Sequence, residues 1–71
     1  MTNDTLINTI ELYRGPDSWL AKHTGPHSEQ IRQLFGTDTI PCAFTPAASA
    51  ADVLTTIQKL NPMAQVFVRG E

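Results

Sequence analysis

The sequence predicts a small α+β domain: a β-hairpin, a helix, a short edge strand, a second helix and a final strand, in the order ββα(β)αβ. Three observations predict it. Apolar and polar residues alternate before a Gly-Pro-Asp turn near the start of the chain, and a second strand-like run follows it, as in a half-buried hairpin. Two later stretches carry apolar residues at helical spacing, each bounded by residues that start or stop helices. The last apolar run, Val66-Phe67-Val68, is short and rich in strand formers. Elements in this order place the helices on one face of a three- to four-stranded, mainly antiparallel sheet.

Each element has its own local cause. Residues 1–5 are polar and expected to fray, leaving residues 6–69 as one domain. Residues 6–13 are β-branched and aromatic, and Ile10 and Leu12 alternate with Thr9, Glu11 and Tyr13. Arg14-Gly15-Pro16-Asp17 supplies turn chemistry, and residues 18–23 return as the second strand. Pairing Tyr13 with Ser18 would set Leu12 against Trp19 and Ile10 against Ala21 on one face. Thr24-Gly25-Pro26 then breaks the strand, with Pro26 suited to a first helical position. His27, Ile31, Leu34 and Phe35 form the apolar stripe of a helix that Gly36 ends.

In residues 37–45, Ile40, Cys42 and Phe44 alternate with Pro41, Ala43 and Thr45. Pro41 lacks an N–H, so this stretch is an edge strand or an extended loop. Residues 47–60 form the second helix, with Ser49 and Asp52 as a variant capping box and Val53, Leu54, Ile57 and Leu60 as its stripe. Asn61-Pro62 stops it, Asn61 as a left-handed cap. Residues 64–68 make the last strand.

Size and composition bound the function. At 71 residues and 7.8 kDa, the chain holds one domain that buries only about 60% of the surface exposed when unfolded. Hydrophobic residues make up 41%, charged residues 17%, and mean hydropathy is −0.17, which excludes a charged disordered tail. No apolar run approaches the roughly 20 residues that span a bilayer. The start, Met1-Thr2-Asn3-Asp4, is the opposite of a signal peptide's basic region. Cys42 is the only cysteine and cannot form an internal disulfide, so a cytoplasmic location is expected.

Net charge is −2, and the basic residues Arg14, Lys22, Arg32, Lys59 and Arg69 are dispersed. Nucleic-acid binding needs clustered cations and is disfavoured. His23 and His27 are four apart, but Thr24-Gly25-Pro26 divides them between two elements, so the helical spacing of a metal site does not apply. No CxxC pair exists, and Cys42 sits in an apolar alternation that suits an inert buried thiol. Neither turn-rich loop, at residues 14–17 or 36–39, has the spacing of a phosphate cradle. No catalytic residue, metal site or cofactor is expected.

Two resemblances follow from these elements. Thr39-Ile40-Pro41 ahead of an apolar strand and a helix resembles the cis-proline region of thioredoxin-type folds over those few residues. That family's CxxC is absent and the upstream element order differs, so no redox role is carried over. By element order over residues 6–60, a hairpin with Trp19 in its second strand, then a third strand and an amphipathic helix, resembles the small HicB-type antitoxin domain. The helix at residues 26–35 departs from that pattern, as does the lack of an attached DNA-binding segment.

The expected function is therefore a small non-catalytic binding or regulatory module whose partner is another protein or a second copy of itself. The proline-marked third strand and the unprotected Val66-Phe67-Val68 strand leave sheet edges open to pairing. Tyr13, Arg14, Asp17, Asp38 and Pro41 are the candidate partner-binding residues. Trp19 is the expected core residue, packed on Leu12, whereas Tyr13 lies on the opposite strand face. Two alternatives stand beside this. One is a nucleic-acid-associated regulator of antitoxin or phage-accessory type, which needs Arg14, Lys22 and Arg32 to converge. The other is a metal- or thiol-dependent protein using His23, His27 and Cys42.

Overall fold

The computed structural model describes residues 8–69, so the expected frayed stretch 1–5 lies outside the described residues. Strands β1 (Thr9–Arg14), β2 (Trp19–Thr24), β3 (Thr39–Pro41) and β4 (Gln65–Val68) form one mixed sheet in the order β3-β2-β1-β4. Helix α1 (Pro26–Phe35) follows β2, and α2 (Ala50–Leu60) joins β3 to β4. The predicted ββα(β)αβ α+β fold is present. Two pairings are antiparallel, β1 with β2 and β2 with β3, while β4 runs parallel to β1.

The hairpin keeps its predicted faces but not its predicted register. Arg14, rather than Tyr13, closes the hairpin, opposite Trp19, and Leu12 faces Ala21. The loop explains the shift: Gly15 N–H donates to Ser18 O at 2.8 Å, so the turn is Gly15-Pro16-Asp17-Ser18. A Cβ on Gly15 would lie 2.9 Å from both Leu20 Cδ1 and Ser18 O, so this tight loop requires glycine. The displacement is two residues, and side chains alternate with a period of two, so no side chain changes face.

The buried core is Ile10, Leu12, Trp19, Ala21 and Val53. α2 supplies Val53 and packs along β4. Its cap is the predicted one, with Asp52 N–H donating to Ser49 Oγ at 3.2 Å. The helix begins at Ala50, however, three residues after the predicted start. Asn61 also departs from expectation. Its φ of −132° is not left-handed, and it closes the helix by hydrogen bonds, with Nδ2 donating to Ile57 O at 2.9 Å.

Between β3 and α2 the chain wraps Trp19. Cys42 N–H donates to Trp19 O, Trp19 N–H donates to Phe44 O, and the indole Nε1–H donates to Ala48 O at 3.1 Å. A buried indole thus keeps its hydrogen bond. β3 itself is only three residues, at the sheet edge, as its proline requires. The chain has no cis peptide bond among the described residues, so Ile40–Pro41 is trans, unlike the proline of the thioredoxin resemblance.

α1 has its predicted bounds, with Pro26 in the first turn and Gly36 as a left-handed cap at φ 78°. Its apolar stripe is only half covered: Ile31 is half-buried, but α1 buries no residue and Leu34 and Phe35 are exposed. No helix among the described residues is long and apolar enough to cross a membrane.

Candidate functional site

Strand alternation divides the sheet into an inner face, where α2 packs, and an outer face. Ile10, Leu12, Trp19, Ala21, Ile40, Val66 and Val68 lie inward, so Glu11, Tyr13, Leu20, Lys22, Pro41 and Phe67 lie outward. Register then defines rows across the outer face. Pro41, Leu20 and Tyr13 stand side by side on β3, β2 and β1; Thr39, Lys22, Glu11 and Phe67 form the next row. Arg69 lies over the Tyr13 ring, 4.0 Å from its centroid, and also pairs with Glu11. The hydrogen bond from Arg69 holds the Glu11 carboxyl below its usual range, with Lys22 adding to the effect. The outer face is thus an apolar row bordered by mixed charge.

The residues singled out from sequence divide into two groups. Tyr13, Asp17 and Pro41 come together at the hairpin end of the outer face. Asp17 and Pro41 line a depression of about 310 Å³ with Pro16, Ser18 and Leu20, and Leu20 is the cross-strand partner of Tyr13. Arg14 and Asp38 are engaged inside the chain. Arg14 stacks on Trp19 at 4.6 Å and donates from Nε to Pro46 O at 3.0 Å, bracing the loop before α2. Asp38 pairs with Arg32 at 3.6 Å and accepts from Thr39 Oγ1, tying α1 to β3.

The inner face near β2 and β3 is only partly covered. A cleft of about 160 Å³ there is lined by His23, Ile40, Cys42, Ile57 and neighbours. Burial pushes the Cys42 thiol up, toward its protonated form, and lowers the pKa of His23, with His27 reinforcing the latter. His27 lies with His23 on a second depression, which Cys42 does not line. Among the described residues no three His, Cys, Asp or Glu side chains are placed to hold a metal ion. The basic residues named for nucleic acid are also divided. Arg14 and Lys22 lie on opposite faces of the hairpin, and Arg32 is paired on α1.

Large apolar side chains outside the core form a further feature: Leu34 is 76% exposed, Phe35 59%, Leu60 71%, Met63 89% and Phe67 47%. Helical spacing marked Leu34, Phe35 and Leu60 as stripe residues in need of cover, and strand alternation put Phe67 opposite in sense to Val66 and Val68. Neither signal says what provides the cover. Compared with protein-family models, curated proteins and solved structures, the chain matches none.

Proposed function

We propose that this chain is a small, non-catalytic binding or regulatory module that works by contact with protein, either another chain or a second copy. One observation carries the reading: among the described residues, five large apolar side chains remain exposed against a core of five buried ones. Scattered surface apolar residues are ordinary, but so many against so small a core mark surfaces that gain by being covered. The outer-face row of Tyr13, Leu20 and Pro41 adds an aromatic and a rigid proline to that surface. The single thiol supports a cytoplasmic setting for the module. Light scattering over a concentration series, paired with affinity capture from the source cell, tests it. Self-association, or a stoichiometric partner that protects these residues from solvent, is the expected result. A monomer at high micromolar concentration with no captured partner overturns the proposal.

A further inference from the structure

The two edges of the sheet are not equally guarded. β3 is three residues long and ends in Pro41, two of the devices by which proteins prevent edge-to-edge pairing. β4 reads Gln-Val-Phe-Val and carries no charge, no proline and no glycine. Its backbone directions follow from its bonds to β1. Gln65 N–H donates to Asn8 O at 2.9 Å and Arg69 N–H to Leu12 O at 2.8 Å. In a parallel ladder, alternate residues turn both backbone groups toward the same neighbour. Gln65, Phe67 and Arg69 therefore serve β1, while Val66 and Val68 aim N–H and C=O away from the sheet, without a partner among the described residues. Beside this edge runs a groove of about 320 Å³ lined wholly by apolar residues: Ala50, Ala51 and Leu54 of α2, and Val66, Phe67 and Val68 of β4.

We infer that β4 is the pairing edge for a second copy of this chain, the two β4 strands running antiparallel across a two-fold axis at Phe67; this rests on the protein-binding reading above. The edge is self-complementary in that register. Val66 stands opposite the partner's Val68, and both present their free backbone groups, so each such pair exchanges two hydrogen bonds. An axis moved to Val66 would instead set Val68 against the partner's Ala64, whose N–H is already committed to Asn61 O. Charge agrees with the register as well: Gln65 meets the partner's Arg69, and no like charges are opposed. On the outer face the two exposed Phe67 rings meet at the axis. On the inner face the small side chains of Ala50 and Ala51 leave room for the partner's helix along the groove. Two four-stranded sheets then become one continuous sheet with its unguarded edges consumed.

Sedimentation equilibrium of the full chain, with amide hydrogen exchange read residue by residue, tests the inference. The expected result is a dimer in which the Val66 and Val68 amides gain protection as concentration rises. Phe67→Lys, on the exposed outer face, sets two cations together at the axis and weakens the dimer by about tenfold or more, with an unchanged circular dichroism spectrum. A wild-type monomer at high micromolar concentration overturns the edge assignment, and so does a dimer whose Val66 and Val68 amides stay unprotected. A dimer that survives Phe67→Lys but dissociates in Leu34→Glu also overturns it, while leaving the protein-contact reading intact. That reading fails separately, when the monomer also captures no partner.

Discussion

α1 and α2 are almost equal in length, at 10 and 11 residues, and both carry an apolar stripe between recognisable end signals. Only α2 joins the core. It buries Val53 completely and lays Leu54 and Ile57 against the same cluster, while its first turn is closed by Ser49. α1 is held by its ends instead. Its N-terminal donors are met by Asn8, just before β1, whose Oδ1 accepts from His27 N–H at 2.7 Å, and by the Gly25 carbonyl, which accepts from both Ser28 N–H and Ser28 Oγ. Its last turn is tied to the chain before β3 by Arg32 and Asp38. The helix leaves β2 through Gly25 at φ 112°, a conformation that other residues rarely adopt. The contrast shows that amphipathic spacing specifies a face that needs cover, whereas the path of the chain decides whether that cover comes from its own sheet.

The largest expected effect separates the two helices directly. Val53→Ala should cost about 2 kcal/mol, because it opens a cavity at a fully buried site, whereas Leu34→Ala should change stability by less than about 0.5 kcal/mol. Urea titration of both variants under monomeric conditions checks this. A comparable loss at Leu34 would mean that α1 packs within its own chain and would break the contrast. The caps come next. Ser49→Ala should cost about 1 kcal/mol, and Asn8→Ala no more than that, since the latter removes a single hydrogen bond to an exposed helix end. Thermal melts of the two variants rank them, and a larger loss at Asn8 would make the tertiary tether, rather than the local cap, the stronger of the two.

The smallest effect is a pH dependence beside α1. Burial, with His27 assisting, lowers the pKa of His23 below the ordinary 6.5, while Asp38 opposes the shift. The unfolded chain therefore binds its proton first as pH falls. Stability from this residue is full above the ordinary imidazole range and declines as pH drops through 6.5 toward the lower folded-state value. Glu11, held low by Arg69, acts in a separate and more acidic window, below its ordinary 4.5. Denaturation midpoints on either side of the imidazole range should show the His23 slope, and His23→Gln should flatten it. A slope unchanged by the substitution would assign it elsewhere.

Much of the fold was legible because its signals are local. Period-two alternation exposed the hairpin and both of its faces, Pro26 and Gly36 bounded α1, and Ser49 with Asp52 marked the cap of α2, although the expected start at residue 47 lay three residues too early. The hairpin register was less legible, since it turns on whether Gly15 or Arg14 opens the loop. The close approach of Leu20 and Ser18 that selects glycine exists only after folding. The parallel pairing of β4 with β1 has no local signature at all. The candidate surface was half legible for the same reason. Alternation put Tyr13 outward and proline put Pro41 at an edge, but Leu20 joins them only through a register set across three strands. Arg14 and Asp38 looked equally available as turn-region charges, and their engagement with Trp19, Pro46 and Arg32 depends on residues distant in sequence.

The position of β1 has a consequence for how the chain is made. It is an interior strand with β2, its sequence neighbour, on one side and β4, the last strand, on the other. On a ribosome the hairpin can close as soon as both its arms have emerged, yet the backbone groups of Ile10, which face β4, wait for Gln65 and Phe67. Val53 and the rest of α2 also arrive well after the hairpin they cover. Until α2 and β4 emerge, a nascent chain therefore carries an apolar two-stranded ribbon, and such ribbons are marginal in water. Completion of the described sheet is then gated by β4.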